Sequence, residues 1–234
     1  MNNPKREGTA VVIGASGGIG AALLAQLEEE NNFVQVFGCA RRQHVPLDLL
    51  EEQTIADAAQ YIANNSAPVR LIIDATGVLE SGPYAVEKST AELNPAAMAH
   101  AFAVNTIGPA LLIKHFFPLL ARDQRSVFAT LSARVGSIGD NSLGGWYSYR
   151  ASKAALNQIV RTAAVELRRR KPEAICIALH PGTVDTGLTQ RFAKTGLDVQ
   201  TPRLAAQRIL YSLDQLTPRD SGGFFDQMGK SIVW

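Results

Sequence analysis

Thr9-Ala10-Val11-Val12-Ile13-Gly14-Ala15-Ser16-Gly17-Gly18-Ile19-Gly20 decides how the rest of the chain is read. Thr9 to Ile13 is a short apolar run, the pattern of a strand buried inside a parallel sheet. Four glycines within the next seven residues then open an Ala/Leu-rich helix, Ala21 to Glu29. A strand that turns through glycines into a helix leaves the first helical N–H groups unpaired and pointing outward. Together with the helix dipole they form a site for a phosphate or pyrophosphate. Glycine suits the turn because a Cβ would block close approach of a ligand and resist a positive φ. A tight turn without a ligand has the same local pattern. The spacing Gly-x-x-x-Gly-x-Gly also differs from the commoner Gly-x-Gly-x-x-Gly dinucleotide fingerprint.

Outward from this turn, strand-like and helix-like segments alternate. Strands are predicted at 9–13, 33–38, 69–74, 125–131, 174–179 and 224–226, and helices at 18–30, 51–65, 95–121, 147–171 and 202–216. This alternation predicts an α/β chain with a doubly wound parallel sheet of about six strands and helices on both faces. No linker, repeat or low-complexity stretch divides it. One domain is expected over 1–234, with a cofactor half at about 1–125 and a catalytic and substrate-lid half at about 126–234. Only eight residues, Arg41 to Asp48, separate the second strand from the next helix. A crossover to a neighbouring parallel strand needs a dozen or more. The third strand of a full doubly wound sheet is therefore shortened or missing, Val45-Pro46-Leu47 is at most a stub, and the second strand lies at or near an edge.

A net charge of +2 gives no electrostatic case for nucleic acid. The densest basic run, Arg168-Arg169-Arg170-Lys171, ends a predicted helix, where cations are favoured. Ala101 to Ala121 is the most apolar stretch, but Asn105, Pro109, Lys114, His115 and Pro118 interrupt it, so no membrane span is expected. Cys39 and Cys176 sit in apolar strand-like runs and read as buried reduced thiols. A cytoplasmic location is expected, and no metal site is read in the sequence.

Tyr149 and Lys153 stand at i and i+4, on one face of the fourth predicted helix. An ammonium beside a phenol favours the phenolate and lowers the tyrosine from its reference pKa of ~10. A tyrosine so tuned can act as general acid or base near neutral pH. Alone, the spacing is commonplace and fits a snorkelling surface pair better.

The glycine turn, the alternating pattern, Tyr149-x-x-x-Lys153 and the later His180-Pro181-Gly182 together resemble the short-chain dehydrogenase/reductase family over nearly the whole chain. The string Arg134 to Asn141, with Gly144-Gly145-Trp146-Tyr147-Ser148-Tyr149, is most similar to the C-factor and Sniffer-type carbonyl reductase branch. The resemblance implies a Rossmann-like fold and a nucleotide turn made of Gly14, Ser16, Gly17, Gly18, Ile19 and Gly20. It implies catalytic roles for Tyr149 and Lys153, which also touch the cofactor, and for Asn105 as the residue that holds a proton-relay water. Ala75, Thr76 and Gly77 correspond to the turn after the family's fourth strand, and Asp48 and Leu49 to its pair beside the adenine. Pro181, Gly182, Val184 and Thr186 correspond to the loop at the nicotinamide end. The long helices 95–121 and 147–171 resemble the family's dimer-forming pair, which implies a homodimer or homotetramer.

Three positions depart from the family pattern. Its catalytic serine falls on Ala133, with Ser132 one residue earlier and Ser137 a little beyond. Neighbouring side chains of an extended chain face opposite ways, so Ser132, ranked ahead of Ser137, replaces that hydroxyl only if the strand ends in a twist or bulge. Asp74 stands in place of an asparagine, where it either approaches a ribose or caps the following turn. Ile13 replaces a threonine.

After the second strand an acid would accept from the ribose of NAD and repel a 2′-phosphate. Here stand Arg41 and Arg42 and no acid, and guanidinium groups bind phosphate through paired hydrogen bonds. NADP(H) is therefore expected ahead of NAD(H). The expected activity is hydride transfer between that cofactor and a small carbonyl or alcohol substrate, with Tyr149 as general acid/base. The competing readings are a nucleotide-binding regulatory protein of the same fold with little turnover, and an epimerase or dehydratase. The substrate lid is expected at Asp185 to Thr201, with Leu188, Phe192 and Leu197 as apolar lining and Arg191 and Lys194 at its rim.

Overall fold

Strand β1 (Arg6–Ile13) is central because Ala10, Val11, Val12 and Ile13 are all fully buried. Removing each Val or Ile side chain from water is worth about 1.5–3 kcal/mol. A strand apolar on both faces must be covered on both, and β1 is. Val11 and Ile13 pack with Ile55, Ala58 and Ile62 of helix α2 (Glu52–Asn65), Leu112 and Phe116 of α4 (Gly108–Phe116), and Leu156, Val160 and Ala164 of α5 (Tyr147–Arg170). Ala10 and Val12 pack on the opposite face with Leu23 and Leu27 of α1 (Gly18–Glu30) and Ala206, Ile209 and Leu213 of α6 (Pro202–Gln215).

The chain is represented by a computed structural model that describes residues 6–80, 82, 84–122, 124–189 and 199–234. Its parallel sheet runs β2 (Phe33–Cys39), β1, β3 (Val69–Asp74), β4 (Ser126–Leu131), β5 (Ala174–His180), β8 (Phe224–Asp226). The six parallel strands agree with the expected doubly wound sheet. β2 lies at the edge, and the segment after it contributes only an isolated bridge from Val45 to Cys39. A separate pair, β6 (Thr183–Val184) and β7 (Val199–Gln200), was not foreseen.

The expected helix 95–121 forms over Pro95–Leu119 but is not a regular α-helix throughout. Helix α3 (Pro95–Phe102) passes through a π-turn at Ala103–Ile107 into α4, and a 3₁₀ turn ends at Leu119. Extra residues of this kind re-aim side chains and recur at functional sites. Asn105 lies inside this one. Pro95–Leu119 is long and apolar enough to cross a membrane by composition, yet Leu112 and Phe116 are fully buried in the core, the behaviour of a core helix. The basic run closes α5, and its last residue ties down a neighbouring turn: Lys171 Nζ donates to the Phe117 and Pro118 carbonyls at 2.9 and 2.8 Å. Cys39 and Cys176 are buried free thiols, and burial pushes Cys39 up to about 12.

The strand order reverses between β1 and β3, all parallel, since β2 flanks β1 on one side and β3 on the other. Ligands of open α/β sheets bind at such a switch point, beyond the carboxyl ends of the strands. There the Gly14 N–H donates to the Cys39 carbonyl and the Ala75 N–H to the Ile13 carbonyl, both at 2.8 Å. The ends of β2, β1 and β3 are thus laced together where the glycine turn begins.

Candidate active site

The glycine turn is shaped by contacts that exclude a side chain. Gly14 has φ +81°, and a Cβ there would lie 3.0 Å from the Ala75 backbone. A Cβ on Gly20 would lie 2.1 Å from the Gly14 carbonyl oxygen, and one on Gly18 2.7 Å from Thr186 Cγ2. Gly17 is the N-cap of α1, which has no side-chain cap and no acid in its first turn. Ser16, Gly17 and Gly18 are exposed and Ile19 is half-buried. The helix therefore presents uncapped donors and its positive dipole end to a surface groove, the arrangement that favours an anion.

Beside this turn Asp74 is fully buried. Its Oδ1 accepts the Thr76 N–H at 3.0 Å and the Thr76 hydroxyl at 2.5 Å, and its Oδ2 accepts the Thr130 hydroxyl at 2.6 Å. Both oxygens are used, so Asp74 caps the Ala75-Thr76-Gly77 turn. Burial raises its pKa, which the Thr130 and Thr76 bonds oppose. Gly77, with φ +156°, leaves room for two groups: a Cβ there would lie 3.4 Å from both Asn105 Oδ1 and Lys153 Nζ. Asn105 is fully buried. It exchanges hydrogen bonds of 2.8 Å with the Val78 N–H and carbonyl, and its amide donates to Ser152 Oγ at 3.1 Å. Thr106 reaches the same helix by donating to the Ser152 carbonyl at 2.8 Å. The π-turn thus binds the end of β3 to α5 beside Lys153.

Tyr149 and Lys153 occupy the first two turns of α5. Lys153 is 2% exposed, and its Nζ donates 2.8 Å to the Leu131 carbonyl at the end of β4. Burial pulls its pKa down to about 8, with the Asp74 carboxylate pulling the other way. Tyr149 is half-buried, and burial pushes its phenol up to about 12. The i, i+4 spacing predicts a lysine that lowers the tyrosine pKa. In the structure desolvation dominates the phenol, and the ammonium is engaged by Leu131.

The serine end is arranged differently. Ser132 is 3% exposed, and its hydroxyl donates 2.7 Å to Asn157 Oδ1. Ala133 is extended and precedes a 3₁₀ turn, Arg134–Gly136. Ser137 is buried, and its oxygen accepts the Asp140 N–H at 3.1 Å. Gly136 lets this turn press on α5: a Cβ there would lie 2.8 Å from Lys153 Cβ.

These parts surround one cavity of about 570 Å³, within the range of small-molecule sites. Of the residues expected at the site, Ile19, Ala75, Thr76, Gly77, Ser132, Tyr149, Lys153, Pro181, Gly182, Val184 and Thr186 line it. Gly14, Gly17, Gly18, Gly20 and Ser16 form the adjoining cradle, and Asn105 stands behind Gly77 and Lys153. Arg41 and Arg42 are exposed just beyond the end of β2, outside the cavity wall. Asp48 Oδ1 accepts the Leu50 N–H at 3.0 Å, and Leu49 packs against Gly108. Most of the expected lid falls outside the described residues, including Arg191, Phe192, Lys194 and Leu197. Leu188 lies within them and lines the cavity. His180 also lines it and is kept neutral: burial first, then the nearby Arg134, lowers its pKa to about 4.

Sequence reasoning gave no role to Trp146, Asn157 or Glu87. Asn157 lies four residues beyond Lys153 on the same helical face, a spacing that a sequence carries. Glu87 has no such signal, because its partners lie in a distant segment.

Residues 8–196 match the short chain dehydrogenase family. The chain is 34% identical over 171 residues to C-signal of Myxococcus xanthus, covering 72% of this chain and 95% of that protein. It superposes with a TM-score of 0.84 and 25% identity on NADPH-bound carbonyl reductase from chicken fatty liver, over 99% of this chain and 100% of that one. The carbonyl reductase Sniffer of D. melanogaster shares the fold with a TM-score of 0.78 and 21% identity, over 99% of this chain and 100% of that one.

Proposed function

The chain belongs to the short-chain dehydrogenase family, and on that premise we propose that it is an NADP(H)-dependent carbonyl reductase with Tyr149 as its general acid. The observation that carries this reading is the convergence of Gly77, Tyr149 and Lys153 on a single cavity continuous with Ile19 of the glycine cradle.

The residues fit a dinucleotide. The cradle at Gly14, Gly18 and Gly20 is a place that Cβ atoms would fill, and the helix above it is uncapped. Gly77 and the Pro181-Gly182 turn line the next part of the groove. Arg41 and Arg42 are two exposed cations at the end of β2 with no acid beside them, which favours the 2′-phosphate of NADP(H) over the bare ribose of NAD(H). The NADPH-bound state of the chicken carbonyl reductase supports the same choice.

When bound, the nicotinamide supplies the hydride. Tyr149 is protonated at neutral pH, since its phenol titrates near 12, so it gives a proton to the carbonyl oxygen. Lys153, half of whose charge is lost at about pH 8, stabilises the phenolate that this leaves. Asn105, locked between Val78 and Ser152, holds the β3 turn against Lys153, the side from which Tyr149 is reprotonated. Ser132 donates to Asn157 and must exchange that bond before it can polarise a carbonyl. Leu79, Leu131, Val135 and Leu143 make the far wall apolar, which suits a small apolar aldehyde or ketone, or the corresponding alcohol in reverse. The protein is proposed to work in the cytoplasm as a homodimer or homotetramer built on the outer faces of α4 and α5. Ile107, just before α4, and Val165 of α5 are exposed.

The test is absorbance at 340 nm with NADPH and a panel of aldehydes, ketones and quinones. Turnover that disappears in Tyr149→Phe supports the proposal. Tight NADPH binding without turnover on any carbonyl sinks it in favour of a nucleotide-binding regulatory protein. The observations that favour that second reading are the similarity to C-signal and the engagement of Ser132 by Asn157.

A further inference from the structure

Helix α5 carries Tyr149 but begins without a cap of its own. Its N-cap residue is Trp146, no side chain of that residue accepts from the helix, and no acid lies in the first turn. The chain enters it through three left-handed residues in succession, Gly144 (φ +64°), Gly145 (φ +65°) and Trp146 (φ +53°). Glycine takes this conformation freely, whereas a tryptophan there is strained and persists only where its surroundings hold it. Among the described residues Asn31 is the only other non-glycine with positive φ.

Glu87 does the holding. Its carbonyl accepts the Trp146 N–H at 2.5 Å. One carboxylate oxygen accepts the Ser148 N–H at 3.2 Å and the other accepts the Ser148 hydroxyl. With 3% exposure, this carboxylate is out of the solvent and aimed at the positive end of the helix, where a negative charge is favoured. From the other side the Arg150 guanidinium donates to the carbonyls of Gly145, Val135 and Gly144. Between the two clamps the Trp146 indole stands edge-on to the Tyr149 ring, with centroids 6.2 Å apart and planes at 68°. Both rings line the cavity.

We propose that Glu87 is a positioning residue for the Tyr149 reaction. It is a helix cap supplied by a distant segment, and it fixes the first turn of α5 and the strained Trp146 so that phenol and indole stand at set places in the substrate cavity. The proposal rests on the reading of Tyr149 as the acid, so its test includes a measurement that needs no turnover. The chain has two tryptophans, and in a Trp234→Phe background the emission of Trp146 reports this turn alone. Glu87→Gln keeps the size but turns one accepting oxygen into a donor. The main-chain bond from the Trp146 N–H to Glu87 remains, but loss of the paired carboxylate bonds to Ser148 loosens the first turn of α5, and the emission is expected to shift to the red as the indole gains water. It is also expected to lower kcat by roughly tenfold or more, with KM for NADPH changed by less than about twofold. Circular dichroism checks the fold. Should Glu87→Gln not fold, Ser148→Ala reads the same quantities with a smaller red shift and a kcat loss of about fivefold, the worth of one hydrogen bond. Unchanged emission in a folded variant overturns the proposal, and so does unchanged kcat. An emission shift in a protein whose unsubstituted form turns over no carbonyl overturns the assignment of Tyr149 and leaves the cap standing.

Discussion

The cradle at the end of β1 and the wall between β4 and α5 face the same groove but are built by opposite means. The cradle is made of backbone. Its working groups are N–H donors at the start of α1, and its shape comes from glycines that admit no Cβ. The wall is made of side chains brought from far apart: Glu87 on Ser148, Asn157 on Ser132, Lys153 on the Leu131 carbonyl. A backbone site is specified locally and tolerates little, while a side-chain site is specified by the fold and can be altered one bond at a time. The two regions should therefore fail separately, the cradle in binding and the wall in turnover.

The largest effect is expected at the wall. Tyr149→Phe removes the proton donor and should lower kcat by about 10²–10⁴-fold, with NADPH affinity by fluorescence titration unchanged. At the cradle, Gly20→Ala would bring a Cβ to 2.1 Å from the Gly14 carbonyl oxygen. The backbone must shift, at a cost of about 1–3 kcal/mol in stability. A thermal melt and NADPH titration should both show the loss. A variant of either kind that damages binding and chemistry equally would erase the distinction between the two regions.

Smaller effects sharpen it. Replacing Arg41 and Arg42 together by alanine should weaken NADPH binding by about 10–100-fold, since hydrogen bonds to a charged group are worth about 1.5–3 kcal/mol. NADH binding should hardly change, and equal losses for both nucleotides would remove the arginines from cofactor choice. The wall should instead answer to pH. Lys153 is protonated below its pKa of about 8 and Tyr149 up to about 12. The reductive kcat/KM should therefore be flat at neutral pH and fall as pH rises through about 8, when the ammonium loses its proton. Lys153→Arg keeps the charge, so it should be slower but show no such fall. A wild-type profile that stays level to pH 9.5 would contradict the role given to the lysine.

What was legible in the sequence follows the same division. β1, β2 at the edge, the missing crossover after Arg41 and the glycine turn are each written in a short window, as hydrophobic runs, loop length or glycine spacing. Tyr149 and Lys153 were legible as an i, i+4 pair, but the direction of the tyrosine shift was not. That depends on how deeply α5 is buried and on the Leu131 carbonyl that takes the ammonium. The π-turn around Asn105 reads as continuous helix in the sequence, because 95–121 is apolar nearly throughout and carries no residue that marks an inserted one. Glu87 left no trace at all. Its meaning comes from Ser148 and Trp146, which meet it only once the segment between β3 and α3 reaches the start of α5.

Ser132 is the finest test of the comparison, because it lines the cavity while its hydroxyl is spent inside the wall. An oxyanion donor is worth about 10²–10³ in kcat. A hydroxyl already donating 2.7 Å to Asn157 Oδ1 must give up a buried bond worth about 1 kcal/mol to serve a substrate. Ser132→Ala should therefore lower kcat by less than about tenfold and lower stability by about 1–3 kcal/mol, the cost of leaving Asn157 Oδ1 unpaired. Asn157→Ala separates the two roles. If the asparagine only occupies the hydroxyl, its removal frees Ser132 to face the carbonyl, and kcat should hold or rise while the melting temperature falls. If kcat instead falls by two orders of magnitude in Ser132→Ala, the hydroxyl leaves Asn157 during the reaction. The wall would then rearrange on binding, a change that a cradle built of backbone donors does not need.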